Sequence, residues 1–173
     1  REGFQVHFHA IGDAATRQSL DAVEAAQMQN GDLGHRHHIS HLELIHPDDV
    51  PRFQQLQVIA NFQPLWAASS PHITELTIPY LGPERSQWLY PLGSVLDAGA
   101  MLAFGSDWSV STANPFPQIE TALTRQGGQA EEPFLPEQRI DLASAVEAFT
   151  VNASFVNGIE DQTGSIEVGK LAD

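Results

Sequence analysis

Three short islands of this chain hold residues that could do chemistry together: His9-Ala-Ile-Gly-Asp13, Ile39-Ser-His41 and Gly105-Ser-Asp-Trp108. Each closes an apolar run that reads as a short buried strand. In a parallel α/β protein the downstream ends of such strands open onto one face, so His9, His41 and Asp107 would converge there. Neutral imidazole nitrogens and a carboxylate suit zinc or a similar divalent ion, which takes such donors at about 2 Å. An aspartate beside a metal-bound water is also placed to take its proton, because the metal lowers the pKa of that water. The chemistry suggested is metal-assisted hydrolysis.

The intervening sequence predicts elements able to hold those residues. Phe4 to His9 alternates as a strand, and Asp13 is expected to cap a helix running through Leu20, Val23 and Ala26 to Asn30-Gly31. His37 to His41 is the second strand. Pro47-Asp48-Asp49 starts a helix with Val50, Phe53 and Leu56 on one face. Val58 to Phe62 is a third strand, followed by a long aromatic loop over 65–90 with short helices in it. Ser94 to Ala98 reads as a helix stopped by Gly99, and Met101 to Phe104 as the fourth strand. Pro115 to Arg125 is helical, Gly127 to Pro136 a loop, and Leu142 to Phe149 and the segment around Ala153 a helical pair closed by Asn157-Gly158. Strand and helix thus alternate about four times, the rhythm of parallel βα units.

Alternation also sorts the histidines. His7 and His9 share one face of the first strand. In the second, His37 and His41 share a face, which sends His38 and Ser40 to the other. By this reading Ser40 points away from the mouth. His46 is expected to cap a helix, and His72 to lie at the surface within reach of substrate. Asp13, Gln63 and Trp108 are further candidates for substrate contact.

Composition narrows the function classes. Eight basic residues stand against 22 acidic ones, a net charge of −14, which disfavours nucleic acid and anionic membranes. With no cysteine in the chain, any metal must be held by histidine and carboxylate. No apolar run approaches the 18 or so residues of a membrane span.

The islands, taken in order with Arg36 through His41-Leu-Glu-Leu-Ile, Gln63-Pro64 and the tail Gly164-Ser-Ile-Glu-Val-Gly-Lys-Leu-Ala-Asp173, resemble the amidohydrolase superfamily. The branch they are most similar to is amidohydrolase family 3, the YtcJ-like and N-substituted formamide deformylase group. The resemblance implies a TIM-type (β/α) barrel, with residues 1–160 forming strands five to eight and 161–173 the beginning of a small β-sandwich domain. It implies His9 and His41 as metal ligands, and Asp107 as metal ligand and general base and acid. It implies hydrolysis of amide, formamide or cyclic amide C–N bonds in a small-molecule substrate, with one or two divalent ions, zinc foremost. Relatives usually carry Glu where this chain has Ser40. Their strand-one His-x-His pair and strand-four bridging ligand have no counterpart in these residues. Alone, the segment is expected to be inactive and to associate with a second copy or with the missing half. The alternative is a non-catalytic metal-binding or structural α/β domain, which has no need of a base at Asp107.

Overall fold

In the computed structural model, which describes residues 3–127 and 132–171, four parallel strands form a single sheet in chain order. They are β1 (His7–Ala10), β2 (His38–His41), β3 (Ile59–Phe62) and β4 (Leu102–Phe104). The helices between and after them are α1 (Asp13–Asn30), α2 (Val50–Gln55), α3 (Ile78–Ser86), α4 (Leu92–Asp97) and α5 (Phe116–Thr124). A closing pair follows, α6 (Leu142–Phe149) and α7 (Val151–Asn157). The expected α/β class with parallel βα units is therefore what the chain forms. Such strands cannot be joined by hairpins, and each pair here is bridged by a helical crossover.

Punctuation residues set the element ends. Gly31, at φ 77°, and Gly158, at φ 68°, take the left-handed side of backbone space that L-residues rarely adopt, and they terminate α1 and α7. The His46 side chain accepts from the Asp48 amide at 3.2 Å and caps the 3-10 turn Pro47–Asp49, as expected. Asp141 caps α6 by accepting from the Ser144 amide at 2.9 Å. The expected cap on α1 is corrected: Gly12 occupies the N-cap and Asp13 is the first helical residue.

The two faces of the sheet differ in kind. Registered partners share a face, so Phe8 and Ile39 fall with Ala60 and Leu102 on one side. That side packs with Leu20, Val23, Phe53 and Val95 in the main core. Fully burying Leu20 or Phe53 contributes roughly 1.5–3 kcal/mol each. The opposite face carries His7 and His9, paired in register with His38 and Ser40, and continues to Asn61 and Ala103. It is the polar face, and the site lies on it.

Trp66 and Trp88 pack partly buried against the core, and Tyr90 is only 5% exposed. Trp66, Trp88 and Tyr90 are thus spent on packing, whereas Tyr80 in the same segment is exposed. That segment is also more ordered than a loop, with a 3-10 turn at Pro64–Trp66, a π-helical stretch at His72–Thr77 and then α3. Over 161–171 the described tail forms turns, with the Leu171 amide donating to the Gln162 carbonyl at 2.8 Å. Ala172 and Asp173, which end the tail motif, lie outside the described residues, as do 128–131 of the expected 127–136 loop. Among the described residues no helix is long and apolar enough to cross a membrane.

Candidate active site

A cavity of about 400 Å³ opens on the polar face and is lined by His7, His9, Ser40, His41, Gln63 and Asp107. Apart from His7, which begins β1, its walls come from the C-terminal halves of the strands and the residues just after them. His9 stands near the end of β1, His41 ends β2, Gln63 follows β3 and Asp107 follows β4. The sequence-predicted trio of His9, His41 and Asp107 is brought to one place.

The geometry explains how His41 reaches it. By register His41 pairs with Ala10 and Phe62, which belong to the apolar face. Its backbone leaves the strand at φ 77°, followed by Leu42 at φ 56°, and this reversal carries the ring to the cavity. The His41 ring then lies 4.4 Å from that of His9, edge to face. Asp107, at φ 55°, is turned by the same kind of backbone reversal.

That reversal corrects the expectation for Ser40. Its hydroxyl does not face away; it lies 2.5 Å from His7 Nε2 and lines the cavity. Alternation placed Ser40 opposite His41, which holds within a regular strand, but the strand ends at His41 and the turn brings both to one side. His7, whose ring stacks 4.4 Å from that of His38, was passed over as a site residue in favour of its neighbour His9. The signal was present in the sequence, because His7 and His9 share a strand face.

The remaining candidates divide. Gln63 lines the cavity and is 5% exposed; its Nε2 donates to Asn61 Oδ1 at 3.0 Å. Its carbonyl oxygen is buried with no hydrogen-bond partner among the described residues. Trp108 is 73% exposed, one residue beyond Asp107. Asp13 does not line the cavity: its Oδ2 accepts from Arg85 at 2.9 Å and its Oδ1 from the Ala14 amide. His72 is exposed at the start of the π-helical stretch and also stands outside the lining.

Two imidazoles and a carboxylate are the right donors for a divalent ion. Burial, foremost, and the neighbouring His9 push His41 below its ordinary 6.5, against the pull of Asp107. The ring is therefore neutral at physiological pH, the form that ligates metal. Yet among the described residues no group of three His, Asp or Glu side chains is gathered closely enough to hold an ion. The donors fit a metal in kind, but the described residues do not gather three of them into a site on their own.

The depressed imidazoles have a consequence for stability. Burial lowers His37, His38 and His41 alike. For His38 the Arg36 carbonyl opposes that shift and His7 adds to it. The unfolded chain takes up protons near pH 6.5 while these folded rings stay neutral, so their contribution is intact above that pH. It is lost as the pH falls from 6.5 towards the depressed folded values. In metal-free buffer the Tm should fall between pH 7 and pH 5, and His38→Gln should flatten that slope. Parallel Tm profiles for the variant and the parent protein would contradict the assignment to His38.

A parallel βα sheet with a polar mouth at its strand ends makes this an α/β protein with its candidate site in the usual place for that class, and comparison with known proteins gives the family. The amidohydrolase family model, that of family 3, matches residues 1–173, and the chain belongs to this family. The protein LONG AFTER FAR-RED 3 of Arabidopsis thaliana is 35% identical over 174 residues, covering 100% of this chain and 29% of that protein. The N-substituted formamide deformylase of Arthrobacter pascens is 27% identical, covering 99% of this chain and 31% of the enzyme. Among solved structures, an uncharacterized metal-dependent hydrolase from Pyrococcus furiosus superposes with a TM-score of 0.77 at 28% identity. That match covers 98% of this chain and 32% of the other. The chain thus spans about a third of the length of the relatives it matches.

Proposed function

We propose that this chain supplies one side of a metal-dependent hydrolase site acting on C–N bonds of an amide, formamide or cyclic amide in a small molecule. The observation that carries the proposal is the convergence of His9, His41 and Asp107 on one cavity at the strand ends. In this reading β1 to β4 are strands five to eight of a (β/α) barrel, and the tail from residue 161 begins a small β-sandwich. The N-substituted formamide deformylase relative supports the C–N assignment.

His9 and His41 would hold the metal, with Asp107 as a third donor and further ligands from outside the described residues. A bound divalent ion, zinc foremost, would act as Lewis acid and make water nucleophilic at neutral pH. Among the described residues Asp107 is the one carboxylate on the cavity wall. It would accept the proton of the attacking water and return it to the leaving nitrogen, so that the amine departs neutral. His41, kept neutral by burial, presents a lone pair rather than a competing charge. Ser40 would fix the orientation of His7 through their hydrogen bond and so shape the cavity floor.

Elemental analysis and chelation of the intact protein test this. Divalent metal should copurify with it, fall in a His9→Ala, His41→Ala double variant, and be required for turnover. Absence of metal from a protein with both histidines intact, or turnover that survives chelation, would overturn the proposal.

A further inference from the structure

His41 is aimed at the cavity by its main chain. Among the described residues no hydrogen bond holds its ring, which rests against that of His9 at 4.4 Å. A metal-binding imidazole is ordinarily oriented by a hydrogen bond from its other ring nitrogen. Here the backbone must supply that orientation, and it does so in an unfavourable conformation. His41 at φ 77° and Leu42 at φ 56° are successive L-residues in the left-handed region. Such a return persists only where its surroundings over-determine it.

The four residues after His41 are fastened on both sides. On one side the Leu42 amide donates to the Ala10 carbonyl at 2.8 Å and the Leu44 amide to the Ile11 carbonyl at 2.9 Å, just past His9. On the other, the Tyr90 amide donates to the Glu43 carbonyl at 2.7 Å and the Ile45 amide to the Trp88 carbonyl at 3.3 Å. Leu44 and Leu89 pair there as an antiparallel bridge. The 88–90 strip is held in turn by Arg125, whose guanidinium donates to the Tyr90 carbonyl at 2.9 Å and the Leu89 carbonyl at 3.2 Å. A third bond, to the Phe134 carbonyl at 2.8 Å, fixes the plane of the fork. Arg125, Leu42, Ile45 and Leu89 are all fully buried, so water does not compete for these bonds.

We propose that Arg125 is a positioning residue for the candidate site, setting the direction of the His41 ring through the 88–90 strip and the return at 41–45. It does not line the cavity; it acts by keeping two left-handed residues from relaxing. What the ring is positioned for rests on the hydrolase reading above, whereas the positioning itself does not.

The test uses the intact protein and two variants, Arg125→Lys and Arg125→Met, kept well below their melting temperatures with the fold confirmed by circular dichroism. Val156→Ala, in the separate small cluster with Ile59 and Ala103, is the control for lost stability alone. In the Arg125 variants the Leu42 and Leu44 amides should exchange with deuterium faster than in the parent protein. Zinc affinity, read by competition with a chromophoric chelator, should weaken about tenfold or more. The nuclear Overhauser contact between the His9 and His41 rings should fade. Lysine should lose less than methionine, and the control should show none of these changes. Zinc held as tightly by the variants as by the parent, or a ring contact left unchanged, would overturn the proposal while leaving the hydrolase reading in place. If the parent binds no zinc the hydrolase reading fails, and the ring contact and amide exchange alone decide on Arg125. Should the Met variant fail to fold, the Lys variant carries the same readouts.

Discussion

Asp107→Asn in the intact protein should leave the fold and metal content in place and lower kcat by about a thousandfold, within the 10²–10⁴ range of general acid–base catalysis. The substitution keeps an oxygen able to contact a metal and removes the group that takes and returns the proton. The turn that holds the residue uses its carbonyl, which accepts from the Val110 and Ser111 amides, so the side-chain change does not disturb it. Circular dichroism, elemental analysis and steady-state kinetics on one preparation separate the three effects. Metal retained with turnover abolished identifies Asp107 as the base. Turnover unchanged would remove Asp107 as the base, and metal retained with no turnover in the parent protein would favour a non-catalytic metal-binding or structural domain, which has no need of a carboxylate base at the strand mouth.

The same residue shows how far the sequence could be read. Short apolar runs closed by His, by Gln63-Pro64 or by Gly105 announced all four strands, and Gly31, Gly99 and Gly158 announced where helices stop. Strand starts were read early: β1 pairs from His7 and not from Phe4, which is 77% exposed. Strand polarity put His9, His41 and Asp107 near one end of the sheet, and all three line the cavity there, His41 and Asp107 by way of backbone reversals. What alternation could not supply was the backbone reversal at His41, because a period-two rule assumes that the strand continues. A positive φ in a non-glycine residue has no local signature at His41-Leu42, and so Ser40 was sent to the wrong side. The Asp13–Arg85 ion pair joins residues 72 apart in sequence. No local pattern announces such a partner, so Asp13 read equally well as a helix cap or a substrate contact.

Arg125 is the most consequential residue that the sequence left unmarked, and its loss should be the most damaging to the fold. It ends α5 in the left-handed conformation at φ 58°, and it is fully buried. Its guanidinium donates to three main-chain carbonyls: Phe134 at 2.8 Å, Tyr90 at 2.9 Å and Leu89 at 3.2 Å. Burial, foremost, lowers its pKa from 12.5 to about 10, so it remains charged at neutral pH. The fork therefore ties the end of α5 to the segment after it and to the Leu89–Tyr90 strip. The Tyr90 amide in turn donates to the Glu43 carbonyl at 2.7 Å, two residues beyond His41. Arg125→Met keeps length and apolar packing but takes the donor from the Leu89 and Phe134 carbonyls, each costing about 1–3 kcal/mol, while the Tyr90 carbonyl keeps the Leu92 amide at 2.8 Å. A loss of roughly 3–5 kcal/mol is expected, lowering the Tm by about 10 °C or more. Arg125→Lys should recover only part of it, because an ammonium cannot reproduce the planar fork that spans carbonyls from two segments. Thermal melts of the two variants decide the matter: a Met variant within about 2 °C of the parent would mean that the carbonyls find other donors and that Arg125 does not hold the His41 return in place.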